Sequence, residues 1–355
     1  MSDPIQIAVI GVGRMGAVHA FHVLELGRET GACQLAAVVD ANTERARAVL
    51  GRLNSPSTPV FATVEELAAA KVSEASFIVT TTENHRQNAS VLIEAGQRVL
   101  MEKPLTGTVQ EDRDFCRQLD AGHPNSIMLA FQRRFDPALQ HAKRLLEQGA
   151  IGRAFKIVSA LEDSRPAPDG YQSGGILPDM SVHNVDELLW LTGKAPVAAA
   201  SIGGRIYSHR ISTINEDFDD AFMYLWFENE LAGQVTVSRN HVPGYRVETW
   251  VFGEDGFIHV GHFDRERFHV NFEAYGRGRT IEQRTFPTRD YGEPMPEFVD
   301  RFGYAYKEEL AVFLDCCRKG IAFPTSHHDG LRAMEVIAAA MKARIEPPAS
   351  GRIAI

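Results

Sequence analysis

The sequence of 355 residues contains only four cysteines, and their arrangement excludes several classes of protein. Cys316 and Cys317 are adjacent, Cys33 and Cys116 stand alone, and no C-x-x-C pair occurs in the chain. Such spacing suggests neither a disulfide framework nor a zinc site. We therefore predict a protein of a reducing compartment, the cytoplasm, with no bound metal ion.

The sequence also lacks long apolar runs and an excess of basic residues. No stretch reaches the roughly twenty apolar residues of a membrane span. The N-terminal MSDPIQIAVIGVG has no basic segment before a long apolar run, so it is not typical of a signal peptide. The formal net charge of −9 argues against nucleic acids and anionic membranes as partners. What remains is a globular chain, 44% hydrophobic and long enough for two domains.

Residues 5–40 combine the features of a dinucleotide-binding unit in the required order. IQIAVI predicts a buried parallel strand, a helix is predicted over residues 14–26, and CQLAAVVD predicts a second buried strand. Between the first strand and the helix, GVGRMG places Gly11, Gly13 and Gly16 in the G-x-G-x-x-G pattern. Gly11 permits the tight turn, Gly13 lets the backbone approach a pyrophosphate, and Gly16 lets helix and strand pack closely. The combination predicts a pyrophosphate at the helix N-terminus.

Asp40, at the end of the second predicted strand, indicates which dinucleotide is bound. Its carboxylate is placed to accept hydrogen bonds from both hydroxyls of an adenosine ribose. The same negative charge would repel a 2′-phosphate, so we predict NAD rather than NADP as the cofactor. The nearby Arg45 weakens this preference.

Helices and strands go on alternating up to about residue 135. Helices are predicted at VEELAAA, NHRQNASVLIEAG and EDRDFCRQLDA, and strands at ASFIVTTT, RVLMEKP and SIMLAFQRRF. This alternation predicts an α/β fold with a Rossmann-type, doubly wound parallel sheet. Ligands of such sheets bind at the carboxyl ends of the strands. Four polar residues are expected at those ends: Asp40, Thr80, Lys103 and Gln132.

After about residue 150 the sequence predicts a second domain of a different kind. Strands are predicted at AFKIVSALED, VAAASIGGRIY, AFMYLWF, LAGQVTVSRN, YRVETWVFG and GFIHVG, with turns at ENE and EDG. They predict an α+β domain with a large, mainly antiparallel open sheet. The predicted boundaries are 1–126 for an NAD-binding Rossmann domain and 127–355 for a substrate-binding and oligomerisation domain. The C-terminal helix is expected to pack back toward the first domain.

The predicted strand AFMYLWF is apolar on both of its faces, so both faces need a cover. A helix from the start of the second domain can cover one of them. A second copy of the chain is the predicted cover for the other, which makes the protein a homo-oligomer, a tetramer or a dimer. Alternation assigns Ala221, Met223, Leu225 and Phe227 to one face, and Phe222, Tyr224 and Trp226 to the other.

The segment GGILPDMSVHNVDELLW carries acidic and imidazole side chains at helical spacing. On a helix, Asp179, His183 and Asp186 fall on one face together with Trp190. This acidic stripe has two interpretations: a face exposed to water, or the lining of a cleft in which these residues move a proton. The neighbouring face is the natural core face, and it consists of Val182, Val185, Leu188 and Leu189.

Taken together, these motifs resemble the Gfo/Idh/MocA oxidoreductase family, named after glucose–fructose oxidoreductase, inositol dehydrogenase and the rhizopine protein MocA. The resemblance covers nearly the whole chain and rests on GVGRMG, the strand-end Asp40, VLMEKPL and SGGILPDMSVHNVDELLWLTG. AFQRRFDP, SRPAPDGYQSGG and GYRVETWVFGEDG are similar to the inositol 2-dehydrogenases, which act on myo- or scyllo-inositol. The sequence departs at Thr81, where the family often has proline, and at Asn184, where inositol dehydrogenases often have aspartate. The second departure leaves the choice of polyol open.

The resemblance implies roles for individual residues. Lys103, Asp179 and His183 would form the catalytic group, and the Lys103–Pro104 peptide would be cis. Glu102 would contact the nicotinamide ribose. The implied NAD-binding residues are Gly11, Gly13, Arg14, Met15, Gly16, Asp40, Thr80, Thr81, Asn84, His85, Glu102, Lys103 and Gln132. The implied substrate-binding residues are Lys103, Gln132, Asp179, His183, Asp186 and Tyr245.

The resemblance also implies a reaction. A secondary ring hydroxyl of an inositol, or of a similar cyclic sugar such as a glucose-type pyranose, would be oxidised to a ketone or lactone with NAD. The acidic stripe would then face the nicotinamide across a cleft. Two alternatives within the family are a keto-sugar reductase and an NAD-assisted glycoside-cleaving enzyme. A non-enzymatic NAD-binding regulator is a third, but a regulator has no need of Lys103, Asp179 and His183 together.

Overall fold

The structure is a computed structural model of the chain, and it describes residues 3–164, 175–204, 218–263, 268–291 and 296–345. Packing divides the chain into two compact units. The first comprises Met1–Phe135 and Ala305–Leu331, and the second comprises Asp136–Tyr304 and Arg332–Ile355. These packing units do not test the domain boundary predicted after residue 126, which stays a prediction. Within the described ranges, no helix combines the length and the apolar composition needed to cross a membrane.

The first unit contains a six-stranded sheet in the order β3-β2-β1-β4-β5-β6, and every neighbouring pair is parallel. This arrangement confirms the predicted doubly wound sheet. The strands are β1 Ile5–Ile10, β2 Cys33–Val39, β3 Val60–Phe61, β4 Ala75–Ile78, β5 Arg98–Glu102 and β6 Ile127–Ala130. The helices between them are α1 Arg14–Thr30, α2 Thr43–Arg52, α3 Val64–Ala70, α4 His85–Glu94 and α5 Val109–Gly122.

Local sequence explains where several of these helices begin and end. Asn42, Thr63 and Thr108 cap α2, α3 and α5, because each side chain accepts a hydrogen bond from a backbone N–H of the first turn. Helix α1 runs four residues beyond its predicted end at residue 26, and it stops at Gly31. Gly31 has a φ of 65°, a left-handed conformation that glycine adopts without a steric cost.

A helix that the sequence pattern did not reveal completes the core of the first unit. Helix α8, Glu297–Lys319, contributes Leu310, Phe313 and Leu314, each 1% exposed or less. They pack in one apolar cluster with residues of β1 and β2 such as Ile7. The sheet of this unit is therefore covered by α8 as well as by the helices that alternate with its strands.

The second unit contains an eight-stranded sheet in the order β14-β13-β12-β11-β7-β10-β9-β8. Only β7 and β10 pair in parallel, so the prediction of a mainly antiparallel sheet is confirmed, although β13 and β14 were not predicted. The strands are β7 Ala154–Glu162, β8 Pro196–Gly204, β9 Asp220–Phe227, β10 Ala232–Ser238, β11 Arg246–Gly253, β12 Gly256–Phe263, β13 His269–Gly276 and β14 Arg279–Pro287.

Two helices of the second unit pack on this sheet, and both follow α5 in the chain. Helix α6, Pro137–Glu147, contacts β12, and helix α7, Val182–Thr192, contacts β7 and β10. A π-helical turn, Leu177–Ser181, leads directly into α7. The final helix α9, His327–Lys342, reaches β8, where Ser201 Oγ donates a hydrogen bond to the carbonyl oxygen of Ala340 over 2.8 Å.

Strand β9 buries one face and exposes the other, with the alternation that the sequence predicted. Helix α7 packs on the same sheet, against β7 and β10. The outer face carries large apolar side chains that remain exposed within a single chain. Exposure is 5% or less for Ala221, Met223, Leu225 and Phe227, and it is 43%, 37% and 49% for Phe222, Tyr224 and Trp226.

Candidate active site

The glycine-rich turn after β1 holds the first turn of α1 close to the strand. A Cβ atom on Gly16 would lie 1.8 Å from the carbonyl oxygen of Gly11, so no other residue fits at position 16. Gly11 itself has a φ of 85° and faces the carbonyl oxygen of Val79. Gly13, in contrast, has no atom within 4 Å of the position that its Cβ would take. The open space at Gly13 and the N–H groups at the start of α1 fit a pyrophosphate.

Asp40, at the end of β2, is 4% exposed and accepts several hydrogen bonds. Its Oδ2 accepts from the backbone N–H of Val12 over 2.9 Å, and its Oδ1 accepts from the N–H of Asn42 over 2.8 Å. Arg45 Nη2 lies 2.7 Å from Oδ1 and 2.9 Å from Oδ2. Two carboxylate oxygens offer about four acceptor positions, and the contact of Asp40 with an adenosine ribose stays a prediction.

The segment after β4 presents polar groups on a short turn. Asn84 Nδ2 donates to Thr81 Oγ1 over 3.0 Å, and Asn88 Nδ2 donates to Thr80 Oγ1 over 3.3 Å. Thr81 and Asn84 are exposed and Thr80 is half-buried, so all three can reach a ligand. Their contacts with NAD stay predictions, as do those of the exposed Arg14 and the half-buried Met15 at the start of α1.

His85 occupies a different kind of place, because it is only 1% exposed. Its Nδ1 lies 2.8 Å from the carbonyl oxygen of Pro104, and its Nε2 lies 3.2 Å from that of Thr80. Burial lowers the pKa of His85 below its ordinary value, although both carbonyl groups oppose that effect. The ring therefore joins the end of β4 to the turn after β5, and its predicted contact with NAD stays a prediction.

Glu102 and Lys103 stand at the carboxyl end of β5, and the Lys103–Pro104 peptide is cis, which confirms that prediction. His19 Nε2 lies 3.1 Å from Glu102 Oε1, and the backbone N–H of Lys103 donates to Glu102 Oε2 over 3.2 Å. Burial alone would raise the pKa of Glu102. The hydrogen bond from His19 and the charges of His19 and Lys103 outweigh burial and lower that pKa. Glu102 is thus a carboxylate at neutral pH.

The acidic stripe of the second unit is not a solvated face. Asp186 is 1% exposed, and the side chain of Asp179 is 12% exposed. Arg239 Nη2 donates to Asp179 Oδ2 over 2.9 Å, and the guanidinium is itself buried. His183 is half-buried on the same helix. Of the two interpretations of this stripe, exposure to water is therefore wrong.

Hydrogen bonds between buried side chains fix the rotation of α7 on the sheet. Asn184 Nδ2 donates to Ser159 Oγ over 2.7 Å, and Ser159 Oγ donates to Glu187 Oε1 over 3.2 Å. Thr249 Oγ1 also donates to Glu187 Oε1. Because these hydroxyls come from β7 and β11, polar side chains of α7 can point into the sheet.

The polar contacts of α7 correct the predicted core face. Val182, Val185 and Leu188 are fully buried, but Leu189 is only half-buried, so its assignment to the core was wrong. Glu187, which was not predicted in the core, is fully buried. Hydroxyl partners on the sheet make this possible, since a buried carboxylate without them would cost several kcal/mol.

The two remaining predicted substrate residues are buried, and their roles stay predictions. Gln132 follows β6 in a 3-10 turn, is 5% exposed, and donates from Nε2 to the hydroxyl of Tyr306 over 3.4 Å. Tyr245 immediately precedes β11 and is 3% exposed. The segment SRPAPDGYQSGG, which contributed to the resemblance, lies largely outside the described residues.

Sequence reasoning missed two residues that position the predicted site. Arg239 holds Asp179, and His19 holds Glu102. A signal for Arg239 was present, because it stands directly after β10, as Asp40 and Lys103 stand directly after strands of the other sheet. His19 lies three residues after Gly16 on α1, which brings it over the sheet rather than into solvent.

Comparisons with known proteins agree with this geometry. Residues 5–123 match an oxidoreductase family with an NAD-binding Rossmann fold, and residues 139–259 match a GFO/IDH/MocA C-terminal domain. The chain is 29% identical over 324 residues to scyllo-inositol 2-dehydrogenase (NAD(+)) of Bacillus subtilis, covering 90% of this chain and 88% of the relative. It is 30% identical over 333 residues to a myo-inositol dehydrogenase of Streptomyces leeuwenhoekii, covering 92% and 94%.

The crystal structure of a myo-inositol dehydrogenase from Corynebacterium glutamicum has the same fold. It superposes with a TM-score of 0.81 at 24% identity, over 96% of both chains. The two sheets described above are therefore those of a known two-sheet architecture.

The glycine turn yields a matched pair of substitutions. Gly16→Ala should destabilise the protein by about 1–3 kcal/mol or more, because its methyl group collides with the carbonyl oxygen of Gly11. The methyl group of Gly13→Ala would contact no protein atom, so the free energy of unfolding should change by less than about 0.5 kcal/mol. The substitution should instead weaken NAD binding roughly tenfold or more, since the methyl group fills the space for the pyrophosphate. Urea unfolding and calorimetric titration with NAD measure the two effects. Unchanged NAD affinity in Gly13→Ala would contradict the assignment.

Proposed function

Because the chain belongs to the Gfo/Idh/MocA oxidoreductase family, we propose that it oxidises a secondary ring hydroxyl of myo- or scyllo-inositol, or of a similar cyclic sugar. Its cofactor is NAD. The observation that carries the proposal is similarity to inositol dehydrogenases over about nine-tenths of the chain, which includes both sheets. The glycine turn, Asp40 and the buried acidic helix α7 supply the parts that such a reaction needs.

The reaction requires the removal of a hydroxyl proton beside the cofactor. When bound, NAD accepts the hydride from the carbinol carbon. His183 is the proposed base, because an imidazole exchanges protons near neutral pH. Asp179, one turn before it, orients the ring and stabilises its charged form. Arg239 holds the Asp179 carboxylate in place over 2.9 Å.

Lys103 is proposed to supply positive charge where the alkoxide develops. Its backbone N–H is fixed by Glu102, and Glu102 is fixed in turn by His19. The side chain therefore extends from a rigid strand end rather than from a mobile loop. The ammonium group can also relay the proton.

A ring with many hydroxyls needs several donors and acceptors for its orientation. Asp179, Asp186, Gln132 and Tyr245 are the proposed partners of these hydroxyls. All four are mostly buried, so their hydrogen bonds to a substrate would form with little competition from water. Asp186 lies on α7, whose rotation is fixed by Glu187, and Asp179 lies in the π-helical turn that leads into α7.

A substrate screen tests the proposed function. The protein is mixed with inositol isomers and aldopyranoses, each with NAD and with NADP, and the absorbance of the reduced cofactor is followed. We expect turnover with an inositol and a higher kcat/KM for NAD, because Asp40 meets the ribose. Oxidation of reduced NAD by keto sugars alone would make the protein a reductase. NAD-dependent release of an aglycone alone would make it a glycoside-cleaving enzyme, and a higher kcat/KM for NADP would contradict the role of Asp40.

Kinetics of single and double variants test the catalytic group. His183→Ala should lower kcat by roughly two to four orders of magnitude with little change in NAD affinity, because the base is lost. Lys103→Met should lower kcat by about two to three orders, comparable to the loss of an oxyanion donor. The losses should not add in the double variant, since both residues act on one proton. His141→Ala, a half-buried histidine on α6, is the matched control and should keep its turnover. Normal turnover in His183→Ala would refute its role as the base.

We also propose that the protein is a cytoplasmic homo-oligomer, a tetramer. Phe222, Tyr224 and Trp226 expose large apolar surface on the outer face of β9, which is typical of a face covered by another subunit. The proposal of a cytoplasmic protein rests on the spacing of the four cysteines, which does not suggest a disulfide framework.

Light scattering on a sizing column tests the assembly. The unmodified protein should have a mass four times the 39.3 kDa of the chain. The double variant Tyr224→Glu/Trp226→Glu should dissociate, because charges cannot be buried on that face without partners. Val242→Glu, at a position that is 80% exposed, is the control and should assemble normally. A monomer at micromolar concentration would exclude the assembly, and a dimer would exclude the tetramer.

A further inference from the structure

A cluster of Cys116, His327 and His328 lies in the first unit, apart from the residues assigned to the reaction. The sulfur and one ring nitrogen from each histidine lie within 4.8 Å of one another. Cys116 belongs to α5, and the histidines begin α9, so more than two hundred residues of chain separate them. Among the described residues, no other cluster of this kind occurs.

Asp120, one turn after Cys116 on α5, fixes both imidazole rings. Its Oδ1 lies 3.0 Å from Nε2 of His327 and 2.9 Å from Nε2 of His328. An ionised carboxylate such as that of Asp120 can only accept hydrogen bonds. Both Nε2 atoms are therefore placed to donate to Asp120, which leaves Nδ1 of each ring as the nitrogen that can meet a metal ion.

The buried histidine has a ring nitrogen without a partner. His327 is 1% exposed, and its Nδ1 has no hydrogen-bond partner in the described part of the chain. Leaving such an atom unpaired costs free energy. A carboxylate that holds one imidazole nitrogen while the other faces a ligand is the arrangement found around metal-bound histidines.

We propose that Cys116, His327 and His328 bind a zinc ion, with Asp120 as the carboxylate that orients both rings. A thiolate and two imidazoles are ligands that zinc prefers and that magnesium and calcium avoid. Ligand atoms of a tetrahedral zinc site lie about 3.3–3.6 Å apart, given Zn–N and Zn–S bonds of roughly 2.0 and 2.3 Å. Binding would require the three ligand atoms, now within 4.8 Å of one another, to move to these distances. The fourth position is left to water on the side of His328, whose side chain is 46% exposed.

Zinc at this cluster would join α5 to the start of α9. Cys116 Sγ now lies 3.7 Å from the carbonyl oxygen of His327, so a bond from the thiolate to the metal would replace a weak contact. The proposal opposes the sequence-based expectation of no bound metal. It is independent of the proposed oxidation, because none of these residues was assigned to NAD or to substrate.

Cobalt titration of the full chain tests the site. The protein is freed of metal with a chelator, dialysed, and titrated with Co²⁺ alone. We expect one equivalent to bind and to produce the near-ultraviolet charge-transfer band of a cobalt–thiolate bond, which Zn²⁺ then removes. Zn²⁺ should also raise the unfolding temperature of the metal-free protein. Absence of a thiolate band in the unmodified protein would refute the proposal.

Variants identify the ligands. Cys116→Ser should abolish the band, whereas Cys317→Ser should keep it. His328→Ala should weaken Co²⁺ binding more than tenfold, and Asp120→Asn should weaken it about 10–100-fold, as expected for a residue that orients ligands. His123→Ala, an exposed histidine that follows α5, should bind Co²⁺ normally. If Cys116→Ser does not fold, the partly exposed His328 and Asp120 decide the question, and unchanged affinity in both variants would overturn the assignment.

Discussion

The contact between Gly16 and Gly11 is the constraint on which the nucleotide half of the site depends. With 1.8 Å between the carbonyl oxygen of Gly11 and a Cβ position at Gly16, α1 can approach β1 only because residue 16 has no side chain. That approach places His19, one turn further along α1, against Glu102. Glu102 in turn accepts the backbone N–H of Lys103. The close approach of α1 and β1 is thus linked, through the side chains of His19 and Glu102, to the position of the proposed catalytic Lys103 at the end of β5.

Asp40 shows how one carboxylate can serve the fold and the ligand together. It holds the N–H of Val12, which shapes the glycine turn, and the N–H of Asn42, which begins α2. These two bonds are structural and leave the outward acceptor positions to Arg45 or to a ribose. Arg45 therefore acts as an exchangeable partner, because its side chain is 52% exposed and such pairs contribute little stability. The proposed contact of Asp40 with the ribose of NAD would replace its ion pair with Arg45.

Short-range patterns predicted the parts of this protein that short-range physics determines. Apolar runs and glycines revealed β1, β2 and the turn between them, and alternation revealed the two faces of β9. The pattern failed where a partner lies far away in the chain. Glu187 is buried because hydroxyls from β7 and β11 donate hydrogen bonds to it. For the same reason the sequence did not predict the contribution of α8 to the core or the cluster of Cys116 with His327. Residue spacing carries no information about contacts between residues so far apart in the chain.

The buried charges of the second unit are better explained by chemistry than by stability. An ion pair such as Arg239 with Asp179 gains little over well-packed apolar side chains, because desolvation offsets most of the attraction. An apolar stripe on α7 would have packed on the sheet without that penalty. The chain instead places His183 and Asp186 on α7 and Asp179 in the turn before it, and Arg239, directly after β10, holds Asp179. Glu187 fixes the rotation of α7 through its hydrogen bonds to the sheet. The acidic side chains are therefore held in place before a ligand binds, which suits them to orienting hydroxyl groups.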